Sequence, residues 1–401
     1  VNLAALAWRY LWARPLVAAL NLALLALGLG AITFVLLVSE QVERAVQRDL
    51  AGIDLVVGAK GSPLQLILSG VFHLDVPTGN IPLEAVDTLR AHPLVGRVIP
   101  LSLGDSVQGF RIVGTTSDYL ALYGAELSRG RPWDAPMQAV LGADVATATA
   151  LAPGATFAGV HGLGRDGHVH GDTPYTVTGV LARCGCVLDR LVLTSLESVW
   201  KVHEDDMATD ETDRAVLEAE REVTLLLVGY RSPLAAATLP RWVNAQPALQ
   251  AAAPAVESAR LLRLVGAGTE VLRGFGALMV LVAALSVFVA LTHAVREREG
   301  DLAMLRMLGA PPGRVAALVA AEASWLAALG VGAGLVLGHG LTHLLGWYLS
   351  VQRSLAVTGA WFSAAEAFLV AAAFALAWLA AAWPARRAAR LDVTTLLQSV
   401  R

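Results

Sequence analysis

Cysteine is scarce: Cys184 and Cys186 are the only two in 401 residues, so neither a disulfide framework nor a doubled CxxC zinc spacing can be built. Charge is scarce as well. Only 16% of residues are charged, and the formal net charge of −3 supplies no basic field for nucleic acid and no acidic or basic tail. The sequence also lacks a GxxxxGK[ST] phosphate loop, a GxSxG nucleophile turn and a carboxylate pair spaced for acid and base work. No enzyme is legible in it. What is abundant is apolar: 56% of residues are hydrophobic and the mean hydropathy is +0.59. That exceeds an ordinary soluble protein of this length and marks a membrane protein.

Crossing about 30 Å of hydrocarbon takes roughly 20 mostly apolar residues in a helix. Four segments suffice, 15–38, 275–295, 315–345 and 361–384. Asn21 is the most polar residue of the first, and the second carries no charge. The third holds Glu322, His339 and His343, and the fourth Glu366. The first run is long for a signal peptide and lacks a small-residue cleavage site, so a retained span is expected. Residues 1–14, with Trp8, Tyr10, Trp12 and two arginines, suit an amphipathic segment lying in the membrane interface.

Arginines set the orientation. Arg9 and Arg14 precede the first span, Arg296, Arg298, Arg306 and Arg314 lie in the 296–314 connector, and Arg386, Arg387, Arg390 and Arg401 lie in the 385–401 tail. The 346–360 loop holds only Arg353. The positive-inside rule makes both termini and the connector cytoplasmic and puts residues 39–274 on the far side. In the third span Gly330, Gly334 and Gly338 repeat every fourth residue. They either form a smooth strip for close helix contact or are simply tolerated facing lipid. Glu322 would be costly against lipid, so it faces protein or the interface, as a structural hydrogen-bonding group or one that moves between states.

Residues 39–274 read as an α+β domain. Leu83, Val86 and Leu89 make a helical face, and VGRVIPLSL and QGFRIVGT alternate as strands. Further strands are expected at MQAVLGADVA, HVHGDTPYTVTGVLA, LDRLVLTS and REVTLLLVGY, and AVESARLLRLVGAGTEVLRGF reads as a stalk helix leading into the second span. GAKGSPLQLILSGVFHLDVPTGN, residues 58–80, is glycine-bearing without the order of a phosphate loop. Its LQLILSGVF core, too short to span, is either core packing near the membrane face or a substrate or partner contact.

One polar stretch carries metal-ligand chemistry: His161, Asp166, His168, His170 and Asp172, then Cys184 and Cys186, then His203, Glu204, Asp205 and Asp206. Imidazole, carboxylate and thiolate are zinc or copper ligands, and His168 and His170, two apart on a strand, would point to one side. The candidate set is His161, His168, His170, Cys184 and Cys186; a solvated loop explains the same residues. Outside the cytoplasm the two cysteines either oxidise together or remain thiols.

EREGDLAMLRMLGAPPGRVAALVAAEASWLAALGVGAGLVLG and the ending PARRAARLDVTTLLQ, with one span, a large domain and three clustered spans, resemble the FtsX-like permeases of the MacB type. The resemblance implies a membrane α-helical fold of four transmembrane helices, with a large α+β extracytoplasmic MacB-like periplasmic core domain inserted between helices 1 and 2. It also implies a type VII ABC transporter permease in the bacterial inner membrane, surrounded by lipid, working as a homodimer or paired permease. ATP and Mg would be bound by a separate cytoplasmic ABC ATPase. The segment from Glu297 to Leu308 would be a coupling helix seated in that ATPase. Glu297, Arg298, Glu299, Asp301, Arg306 and Met307 would be contacts, with Leu302, Met304, Leu305 and Leu308 as apolar anchor and Gly309 opening the turn back. A plain interfacial helix is the alternative. The implied work is mechanotransmission in export, extraction or efflux, with a periplasmic adaptor or lipoprotein as partner. Regulation of a cell-wall hydrolase, and metal-related transport or sensing through the His/Cys segment, are the other readings.

Overall fold

A computed structural model describes residues 2–162, 170–207, 210–351 and 357–390. Helix α1 (Leu3–Trp12) is opened by Asn2, whose side chain accepts from the Ala4 amide. Helix α2 (Pro15–Asp49) starts on a proline, where the missing N–H has no helical partner to lose. It runs past the expected span end at 38, because VSEQVERAVQRD, although polar, contains neither glycine nor proline to stop it.

The following elements are β1 (Leu55–Ala59), α3 (Pro63–Gly70), β2 (Ile81–Pro82), α4 (Glu84–Arg90), β3 (Val95–Val107), β4 (Phe110–Thr115) and α5 (Ser117–Leu122). Then come β5 (Leu127–Gly130), β6 (Gln138–Leu141), α6 (Ala143–Thr149), β7 (Thr156–Phe157), β8 (Val160–His161), β9 (Tyr175–Leu181) and β10 (Val192–Ser195). The domain closes with α7 (Leu196–Met207), α8 (Glu211–Ala219), β11 (Glu222–Val223), β12 (Leu225–Tyr230), α9 (Ala235–Asn244) and β13 (Leu249–Ala252). The remaining helices are α10 (Pro254–Glu297), α11 (Glu299–Met307), α12 (Pro312–Val351) and α13 (Ala364–Ala389). Four of them, α2, α10, α12 and α13, are long and apolar enough to cross a membrane.

The chain divides into two compact units, Glu43–Arg263 and the remainder on either side of it in sequence. In the first, the main sheet runs β13-β1-β12-β3-β4-β10-β6-β9-β5, with β7 on β9 and β8 on β3; β2 and β11 pair separately. The long strand β3 joins the two halves, pairing with β12 through Leu101 and with β4 from Ser102. One core lies under α4 and α9, where Val86, Leu89, Leu239 and Val243 meet Leu226 and Val228. A second gathers Phe110, Ile112, Leu141, Val145 and Val177. In the other unit Leu11, Leu25, Val287, Leu302, Leu318 and Ala381 share one apolar core.

Three expectations need correction. MQAVLGADVA is strand only to Leu141; Gly142 is extended, and Asp144 sits in the first turn of a helix that follows. Among the described residues of HVHGDTPYTVTGVLA, from His170 on, only Tyr175–Leu181 is strand, and His168 and Asp166 lie outside the described residues. The third helical run passes the expected end at 345 and continues to Val351. LQLILSGVF forms most of α3, started by Ser62, whose hydroxyl accepts from the Gln65 amide, and by Pro63. Its Leu66 and Ile67 are fully buried, which makes it core rather than a free contact surface.

Candidate functional site

Helix α11 sits between α10 and α12, held by charged residues that turn toward their own chain. Arg298 donates from Nη1 to Glu322 Oε1 at 3.0 Å and from Nη2 to the Tyr10 carbonyl at 2.9 Å, with its guanidinium 4.2 Å above the Tyr10 ring. Glu297 pairs with Arg14, Glu299 lies 3.5 Å from Arg387, and Arg306 donates to the Ala389 carbonyl at 3.3 Å. These contacts draw together the ends of α1, α2, α10, α12 and α13 on the side rich in arginine.

The apolar residues of the connector divide differently from the expected anchor. Leu302 is 3% exposed and belongs to the helical core, and Leu305 is half-buried. Neither is offered outward, because the bundle itself supplies apolar surface for the inner face. Met304, Met307 and Leu308 remain exposed, Leu308 by 80%. Their spacing places them on one face. Asp301 and Gly309 are exposed beside them, and Gly309, at φ +94°, makes the turn into α12.

The glycine strip of α12 lies against α2. A Cβ at Gly330 would stand 2.8 Å from Leu25 Cβ, one at Gly334 2.7 Å from Leu29 Cβ, and one at Gly338 2.6 Å from Thr33 Cβ. Such separations are impossible for real side chains, so glycine is what lets these helices meet. At the opposite end of the bundle His339 joins the Gly359 carbonyl at 2.7 Å and Glu366 at 3.1 Å. Glu366 and Ser363 form the capping box that starts α13, and Ser363 donates to Glu40 at 3.0 Å.

The described residues of the polar stretch include two separate groups. Cys184 and Cys186 are joined to each other by a disulfide, and the Cys184 and Gly185 amides donate to the Asp189 carboxylate. They therefore offer no thiolate to an ion, which removes them from the candidate ligand set. His161 and His170 instead meet His203 of α7 and Asp105 of β3. His161 Nδ1 lies 3.4 Å and His170 Nε2 3.8 Å from the same Asp105 oxygen. Asp105, His161 and His203 each offer a ligand atom within 4.8 Å of the others. Asp105 is absent from the sequence-derived set; the one signal for it is a carboxylate beside a glycine in the middle of the alternating strand SLGDSV.

Residues 18–226 match the family model described as MacB-like periplasmic core domain, and residues 273–393 match the FtsX-like permease C-terminal model. The ABC transporter permease YtrF of Bacillus subtilis (strain 168) is 27% identical over 135 residues, which are 31% of this chain and 30% of that protein. The chain thus spans under a third of the curated relative it matches. Among solved structures, the periplasmic region of MacB from Actinobacillus actinomycetemcomitans aligns at TM-score 0.36 and 12% identity, covering 54% of this chain and 95% of that one. The extracellular domain of the noncanonic ABC-type transporter YknZ from Gram-positive bacteria aligns at TM-score 0.31 and 13% identity, covering 50% and 98%.

Proposed function

The chain belongs to the FtsX-like permeases that carry a MacB-like periplasmic core domain, and from that membership we propose that it is the membrane subunit of an ABC transporter, driven by an ATPase bound in trans. In this reading α1, α11 and the end of α13 face the cytoplasm, where the positive-inside rule puts their arginines. The domain of residues 43–263 faces the other side.

The observation that carries the reading is the division of α11 into a fixed face and a free one. Arg298, Glu299 and Leu302 bind the helix to its own bundle. Met304, Met307 and Leu308 are left as an apolar knob rimmed by Asp301, which suits the groove of a partner subunit. Because the fixed face is pinned to α12 through Glu322, a push on the knob is passed on as rigid movement rather than absorbed by a loop. The chain's own task is mechanotransmission: it converts closure of the ATPase into motion on the far side of the membrane.

The test is a photo-crosslinking amino acid placed at Met304, Met307 or Leu308 of the full chain in its native membrane. An adduct with an ABC ATPase at these positions, reduced by Asp301→Arg, is expected. Adducts with lipid alone would identify α11 as an interfacial helix and overturn the proposal.

A further inference from the structure

We propose that Asp105, His161 and His203, with His170 beside them against the same Asp105 oxygen, form a binding site for a divalent transition-metal ion of the zinc class. The backbone brings the four together from separate parts of the domain. β8 pairs antiparallel with β3 so that Asp105 and His161 are direct cross-strand neighbours. The His170 amide donates to the Gly159 carbonyl at 3.0 Å, which returns the chain to the same strand. His203 comes down from α7 onto Gly104, where an added Cβ would stand 3.3 Å from its Nε2. The pairing of β3 with β4 slips between Leu103 and Ser106, an irregularity that re-aims side chains and is frequent beside functional sites.

The carboxylate at the centre of the group has the geometry of a ligand. Asp105 is 5% exposed, and its Oδ1 is buried without a hydrogen-bond partner. The imidazole nitrogens that approach it stop at 3.4 and 3.8 Å, beyond the usual 2.7–3.2 Å range for N–H···O bonds. For a tetrahedral ion with bonds near 2.0–2.1 Å, ligand atoms stand roughly 3.3 Å apart. The three imidazole rings form a nearly equilateral triangle with centroids 6.3, 5.8 and 6.0 Å apart, at interplanar angles of 75°, 87° and 84°. The three rings stand edge to face around one point rather than stacked on one another.

Imidazoles together with one carboxylate select zinc or its neighbours over calcium and magnesium, which take all-oxygen shells. His161 and His203 also line a cleft of about 330 Å³ together with Asn80, Trp200 and Arg221, which gives an ion a way in. Glu204, in the same cleft, is held by Arg221 through bonds of 2.7 and 3.0 Å and is not a ligand. A bound ion would fasten β3, β8 and α7 to one another.

The experiment uses the full chain in detergent, stripped with chelator, and titrates Zn2+ by calorimetry. One ion per chain is expected, with affinity lowered at least about tenfold by His203→Ala and by Asp105→Asn, and unchanged by His92→Ala. Co2+ should give the intense visible absorption of a four-coordinate site, lost in His203→Ala. His203 is only partly buried, so this variant should unfold in chelator at the same temperature as the wild type even if a buried-site variant such as His170→Ala fails to fold. Cu2+ binding more tightly than Zn2+ at these residues supports the site, as the ordinary affinity order of a nitrogen-rich set requires. Zn2+ binding that is absent or indifferent to His203→Ala and Asp105→Asn, or a preference for Ca2+ or Mg2+, overturns it.

Discussion

Arg298 and Glu322 form an ion pair in which both side chains are largely withdrawn from solvent, 16% and 8% exposed, at 3.0 Å. The same guanidinium reaches Tyr10, so the corner between α10 and α11 is tied at once to α12 and α1. Removing one partner of a buried pair leaves the other charge uncompensated, which typically costs about 3–5 kcal/mol. Arg298→Ala should therefore lower the thermal unfolding temperature of the purified chain markedly. The double variant Arg298→Met with Glu322→Leu should lose much less, since no lone charge remains. A loss in the double variant equal to the sum of the two single losses would show that the residues act independently.

The glycine strip gives a size-graded prediction. Gly334→Leu and Gly338→Val force α12 away from α2 and should each destabilise the bundle by about 1–3 kcal/mol. Gly332 and Gly340, on the same helix, have nothing within 4 Å of an added Cβ, and Gly332→Ala and Gly340→Ala should be neutral. Thermal unfolding in one detergent compares all four; similar effects in both groups would refute the close contact.

Acid should weaken the extramembrane unit through His73, which is buried and joined to the Tyr119 hydroxyl at 3.1 Å. Burial, and then the cations Arg111 and Arg190, hold its pKa well below the ordinary 6.5. The native imidazole thus stays neutral while the unfolded one takes a proton. Its contribution is complete above about pH 6.5 and declines as pH falls toward the native value, by up to roughly 1.4 kcal/mol per unit. Denaturant unfolding between pH 7 and pH 5 should be less pH-dependent in His73→Phe, and parallel curves for the two proteins would sink the assignment.

Helix α1 is docked by tryptophans. Trp325 Nε1 donates to the Ala4 carbonyl at 3.1 Å, and its ring meets Trp8 edge-on at 5.0 Å between centroids. An aromatic pair of this kind contributes about 0.5–1.5 kcal/mol. Trp325→Ala should then speed trypsin cleavage after Arg9 by roughly two- to tenfold. An unchanged cleavage rate would mean that α1 is held by other contacts.

Much of this architecture is legible in the sequence because its signals are local. Span length and apolarity mark α2, α10, α12 and α13, and alternation marks β3 and β4, since each depends on neighbours a few residues apart. The inward turn of Leu302 is different. α11 carries apolar residues on more than one face, and only the surrounding helices decide which face is covered. Asp105 and His161 are likewise far apart in the chain and become neighbours only when β8 folds back across β3. The candidate set includes His161 and His170, but Asp105 reaches them only through the pairing of β8 with β3, and His203 only through α7.

Where Gly330, Gly334 and Gly338 face Leu25, Leu29 and Thr33, main chain comes close to main chain over successive turns. Long side chains between helices can yield by changing rotamer, but a backbone seat has almost no such slack. α2 and α12 consequently bend as one thicker beam, whose resistance to flexing rises steeply with its depth. Under the proposed coupling, a thrust entering beside Glu322 would be delivered along that beam with little of the stroke lost on the way.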